Sequence, residues 1–181
     1  MKKQKLILRQ AVLASLLTAM ITVLTCWLKI PIHNGYLHIG DSVICIAACL
    51  LPAPLALFCG SVGGMLADLI GGYSMYAIPS FIIKALLVLA FDSKSEKLAS
   101  KRNVAAAGIG AAITVTGYYI TDVILTASAA GMLKEIFSTP VPWTSALYSA
   151  SGNLIQGAAS AVIFILLATA LDKVKIRQKL L

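Results

Sequence analysis

Three ionisable side chains, Asp68, Lys84 and Asp122, lie inside long apolar stretches of this 181-residue chain. A charge carried to the centre of a bilayer costs about 2.5–3.5 kcal/mol on insertion scales, so such residues are usually paired or functional. Amides and phenols accompany them: Asn153 and Gln156, and the adjacent Tyr118 and Tyr119. Carboxylate, ammonium, amide and phenol together make the set of donors and acceptors that orients a small polar solute in an apolar cavity. Two alternatives stand beside that chemistry. Asp68 and Lys84 could form an ion pair that only joins two helices, and Asn153 and Gln156 could be plain interhelical hydrogen bonders. Asp122 has no obvious basic partner in the sequence, which favours contact with ligand or water.

Other chemistry is poorly represented. No Walker motif, HExxH, GxSxG or kinase signature occurs, and the aspartates have no second catalytic group at a recognisable spacing, so the chain reads neither as an ATPase nor as an enzyme. Cys26, Cys45, Cys49 and Cys59 all fall in apolar runs without a CxxC, and read as buried thiols rather than metal ligands. His33 and His38, five residues apart in a polar loop, allow a metal site but read first as solvated or hydrogen-bonded histidines. Asp41 reads as a helix N-cap rather than a ligand. Tyr36, Tyr73 and Tyr76 suit either a membrane interface or a lid.

The elements that must position these residues are apolar helices. Hydrophobic residues make up 59% of the chain and charged residues 12%, and mean hydropathy is +0.90. Those values exclude a disordered chain, a coiled coil and an ordinary soluble enzyme. They predict an all-α integral membrane protein with residues 1–181 forming a single transmembrane domain. Its helices are expected over 6–28, 41–51, 54–70, 79–91, 104–130 and 143–171. The first is too long for a signal-peptide core and has no convincing cleavage site. Pro52-Ala53-Pro54 breaks the second from the third, Gly71-Gly72 and Gly131 end the third and fifth, and Pro79 opens the fourth.

Helices 2 and 4 are short for a span of about 20 residues, so four crossings are an alternative to six. Twelve of the 15 Lys and Arg residues cluster at the N-terminus, in 94–102 and in the C-terminal tail. This distribution flanks apolar segments, as the positive-inside rule requires, and does not form a nucleic-acid-binding face. Six crossings put both termini and residues 92–103 in the cytoplasm and loops 29–40, 72–78 and 131–142 outside. At 1.5 Å per residue, Asp68, Lys84, Asp122 and Asn153 then fall in or near the outer half of the membrane, which predicts a cavity facing outward. On helix 1, Ala11, Ser15 and Ala19 recur every four residues, as do Ala14 and Thr18; small residues at that spacing permit close approach of a partner helix or of the protein's own helices.

Four stretches carry a family resemblance: Gly35–Asp41, Leu50–Pro54, Gly60–Leu69 and Tyr76–Leu86. Their order resembles the substrate-binding S component of energy-coupling factor (ECF) transporters. The resemblance implies a six-helix bundle in the cell membrane that captures a vitamin or vitamin precursor from outside. It would work with a transmembrane coupling subunit and two ABC-type ATPases, which use the ATP; no cofactor is expected on this chain. The substrate-binding residues would be Asp68, Lys84, Tyr118, Asp122, Asn153 and Gln156. The helix 1 face at Ala11, Ser15 and Ala19 would dock the coupling subunit. The polar set favours a pyridoxine-, hydroxymethylpyrimidine- or thiamine-like solute. A ligand-free membrane scaffold is the competing expectation.

Overall fold

A helix that is apolar all round belongs in an interior, and residues Gly40–Leu50 behave accordingly: every one of them is buried. This helix, α2, is the axle of the bundle in a computed structural model that describes residues 2–32 and 35–180. Around it stand α1 (Lys2–Cys26), α3 (Ala53–Ile70), α4 (Ala77–Leu89) and α6 (Val141–Lys173), each in contact with it; α5 (Lys101–Ala129) packs against α4 and α6. A short α7 (Ile176–Leu180) follows α6. Four helices, α1, α3, α5 and α6, are long and apolar enough to cross a membrane, whereas α2 and the stretch Ser74–Leu89 are shorter. The helix ends lie within a few residues of expectation. The largest shift is at α1, which starts four residues before the expected position; α4, α5 and α6 start two or three residues early, and α7 is additional.

Two further differences concern loops 29–40 and 72–78. Residues 29–40 hold an antiparallel hairpin, β1 (Ile30–Ile32) against β2 (Gly35–Leu37), with Ile30 opposite Leu37. Strands of three residues are too short for alternation to show in the sequence. Before α4, residues Ser74–Tyr76 form a single 3-10 turn that runs directly into the helix. Pro79 is therefore its third residue rather than its first, still among the four positions whose N–H has no partner within the helix. The glycine stops hold as expected. Gly72 and Gly131 have φ of +83° and +68°, and the following amides, Tyr73 and Met132, reach back to the carbonyls of Asp68 and Ala127 at 2.8 Å, which is Schellman closure. His33 lies outside the described residues.

The two ends of the bundle differ in kind. At one end, α7 and the segment between α4 and α5 clamp the C-terminal end of α2. Arg177 donates to the carbonyls of Cys49 (3.1 Å), Ser95 (2.7 Å) and Ser93, and the Asp172 carboxylate accepts from the amides of Leu98 and Ala99. Phe91 and Phe164 meet edge-on beneath them, 5.3 Å between centroids. The basic clusters in 94–102 and in the tail lie at this end. The hairpin, the 3-10 turn and the α5–α6 connection lie at the other, where Trp143 Nε1 donates to Ile136 O at 2.7 Å.

The four thiols are buried. On α1 the two small-residue rows separate. Ala14, Leu17, Thr18 and Ile21 are buried, and Thr22 donates to Gly63 O of α3 at 3.1 Å; Ala11, Ser15 and Ala19 are exposed. A methyl group at Gly63 would come within 2.8 Å of Ile21 Cγ2, whereas one at Gly108 meets nothing within 4 Å. We expect Gly63→Ala to destabilise the purified protein by about 1–3 kcal/mol through overpacking. Gly108→Ala, which lifts a helix penalty of up to about 1 kcal/mol, should raise the melting temperature. Equal effects of the two substitutions would contradict the α1–α3 contact.

Candidate functional site

Antiparallel helices with polar residues near the same end bring those residues together, and here they enclose a cavity of about 390 Å³. Its wall takes His38 from the loop after β2, Asp41 from α2, Asp68 from α3, Tyr73 and Tyr76 from the turn before α4, and Lys84 from α4. From α5 come Thr114, Tyr118 and Asp122, and from α6 Tyr148, Ser149, Gly152, Asn153 and Gln156. The volume falls within the roughly 300–1,000 Å³ of small-molecule pockets. All six residues singled out as substrate-binding from the sequence, Asp68, Lys84, Tyr118, Asp122, Asn153 and Gln156, lie on this wall.

Lys84 finds a partner other than the one weighed in the sequence. Its ammonium lies 2.8 Å from Asp41 Oδ1 and donates to Oδ2 at 2.9 Å, with both side chains almost wholly buried. Asp41 is thus no N-cap: the cap position is Ile39, without a side-chain cap hydrogen bond, and Asp41 sits within the first turn of α2. The physical reason is that a buried lysine needs a buried anion, and α2 brings one to α4. The Lys84 ammonium also lies 5.0 Å from the centroid of the Tyr118 ring, whose hydroxyl is 2.7 Å from Ser80 Oγ. Asp68, the expected partner, forms no ion pair among the described residues, and its Oδ2 is buried with no hydrogen-bond partner there.

Asp122 accepts a 2.8 Å hydrogen bond from the Tyr76 hydroxyl, which ties the turn before α4 to α5. Gln156 is already committed. Its Oε1 accepts from His38 N at 2.9 Å, and its Nε2 donates to His38 O and to Ser160 Oγ, also at 2.9 Å. It therefore holds the loop after β2 against α6 at the cavity edge. Burial pushes the His38 imidazole, which lies outside the helices, down to about 4, so at neutral pH it adds no charge. Tyr119 turns away and donates to Trp143 O at 3.3 Å. Among the described residues no cluster of His, Cys, Asp or Glu could hold a metal ion.

Several wall residues were not singled out in advance. Thr114, Tyr118 and Asp122 are spaced four apart, as are Ser149, Asn153 and, three further on, Gln156; one helix face carries each set. That periodicity was the available signal for Thr114 and Ser149. For Asp41 the signal was the need of Lys84 for an anion at matching depth.

Comparison with known proteins places this geometry. Residues 5–173 match the family model described as ECF-type riboflavin transporter, S component, and the chain belongs to that family. It is an S component, the substrate-binding subunit of an ECF transporter, in a family of membrane proteins. A solved structure of the S component of a bacterial ECF transporter shares the fold, with a TM-score of 0.67 and 20% identity over 91% of this chain and 95% of its own. A curated protein of Pyrococcus woesei, described as an uncharacterized protein in the gap 3′ region, is 41% identical over 66 residues. That match covers 35% of this chain and 44% of the relative, so the chain spans less than half of that protein.

Breaking a buried pair strands the remaining charge, at a cost of about 3–5 kcal/mol. Lys84→Ala should therefore lower the melting temperature of the purified protein substantially. Pairing Lys84→Met with Asp41→Asn removes both charges and should recover most of that loss in denaturation experiments. No recovery in the double variant would argue against the pair as the source of the effect.

Proposed function

We propose that this chain captures a small heteroaromatic vitamin or vitamin precursor from outside the cell and presents it to a transmembrane coupling subunit. The observation that carries the proposal is the meeting of charged, phenolic and amide groups from α2 to α6 around one cavity at the end of the bundle away from the basic clusters. The positive-inside rule makes that end the outer one, with both termini cytoplasmic. On this reading α2 and α4 complete six crossings by drawing on their flanking turns.

Asp68, Lys84, Tyr118, Asp122 and Asn153 contact the solute, and Gln156 holds the loop after β2 over it. Riboflavin, named in the family description, is one candidate solute; pyridoxine-, hydroxymethylpyrimidine- and thiamine-like compounds are the others that the polar wall supports. The exposed row Ala11, Ser15 and Ala19 offers the coupling subunit a close approach. Two ABC-type ATPases hydrolyse the ATP, and capture itself needs none.

Purified protein in detergent should bind one compound of a vitamin panel without ATP, seen as a rise in melting temperature. Asp122→Ala should weaken that binding at least tenfold. A panel in which nothing shifts the melting temperature contradicts the proposal. Ser15→Trp should leave binding intact yet abolish uptake by cells that carry the coupling subunit and ATPases; unchanged uptake would remove the α1 face from the account.

A further inference from the structure

Once its one buried ion pair is set aside, the cavity wall is negative. Lys84 and Asp41 cancel each other at 2.8 Å. Asp68 and Asp122 remain, on α3 and α5, and neither has a cation within salt-bridge distance among the described residues. Lys29 does not line the cavity; its ammonium lies 4.7 Å over the ring of Tyr73. Asp122 has the Tyr76 hydroxyl. Asp68 is 8% exposed, and its Oδ2 is buried without a hydrogen bond.

A second observation is independent of the acids. Thr114 is 2% exposed, lines the same cavity, and its Oγ1 is buried with no hydrogen-bond partner among the described residues. Several helical threonines, Thr18, Thr22, Thr121 and Thr169 among them, turn their hydroxyls back to the carbonyl four residues earlier. Thr114 makes no such bond and stands in the wall of the cavity. Buried polar groups are rarely left without partners in folded proteins, and an unpaired buried carboxylate is costlier than a hydroxyl. Two such groups on different helices, facing one space, point to a ligand that satisfies both. The rings of Tyr73 and Tyr118 each already carry an ammonium near one face, so the aromatic part of the wall suits positive charge as well.

We propose that the ligand of this cavity carries a positively charged nitrogen on a small ring system, seated against the Asp68 carboxylate, with Thr114 hydrogen-bonding a second polar atom and Asp122 adding negative potential. The inference rests on the nutrient-capture reading above and selects among its candidates: it favours cationic amines and aminopyrimidine-like compounds over a neutral flavin.

The test is isothermal titration of the full-length chain in detergent with four probes forming two pairs: pyridoxamine against pyridoxine, and thiamine against riboflavin. In at least one pair the cationic member should bind ten times more tightly than its neutral counterpart, and Asp68→Asn should abolish that preference. Thr114→Val should weaken the bound cation and its neutral counterpart alike. The ligand-free melting temperature of Asp68→Asn should match or exceed that of the parent, because an unpaired buried charge has gone; should this variant fail to accumulate, the selectivity of the parent protein decides the matter. Riboflavin and pyridoxine each binding as tightly as its cationic counterpart overturns the inference while leaving nutrient capture standing. A cation preference that survives Asp68→Asn overturns the role of Asp68. Binding of none of the four overturns the inference; capture itself falls only if the wider vitamin panel also fails to bind.

Discussion

The contact between Lys84 and Asp41 organises the rest of the molecule. A lysine and an aspartate held away from water are tolerable only together, and their pairing at 2.8 Å fixes the N-terminal end of α2 against α4. Because α2 is buried on every side, whatever holds it sets the positions of the helices around it. Its other end is held by Arg177 on the Cys49 carbonyl. A short helix pinned at both ends leaves a recess above its first turn, where longer helices continue past it. That recess is the cavity.

The same pairing determines the character of the site. By taking up the one lysine of the wall, Asp41 leaves Asp68 and Asp122 to face the cavity without a cation. The wall is then negative, rich in phenols, and equipped with at least one hydroxyl that has declined its own helix. Around the edge, Gln156 and the Tyr76–Asp122 bond fasten the outer turns to α6 and α5.

Much of this was legible in the chain because membrane physics leaves sharp marks. Apolar runs, glycine stops at Gly72 and Gly131, and basic flanks gave the helices, and the cost of burying charge drew attention to Asp68, Lys84 and Asp122. Depth along each helix, at about 1.5 Å per residue, put Asp68, Lys84, Asp122 and Asn153 near one end of the bundle. What escaped notice depended on tertiary pairing. Asp41 looks like an N-cap because it opens a helix after a glycine; only the position of α4 beside α2 reveals it as the counter-ion of Lys84. Gln156 looks like a free amide, yet the backbone of His38, 118 positions away in sequence, takes its polar atoms. The hairpin β1–β2 is too short to leave a pattern, and only the packed structure shows that the Thr114 hydroxyl is buried without a partner.

The account stands or falls on whether this cavity holds a nutrient in the living membrane. Mass spectrometry of small molecules released from protein purified directly out of native membranes addresses that without choosing a ligand beforehand. The account predicts a single vitamin-class compound in amounts comparable to the protein, absent from preparations in which Asp68 and Asp122 are both replaced by Ala. Recovery of lipid and detergent alone, or of the same compound in the same amount from the doubly substituted protein, would contradict it.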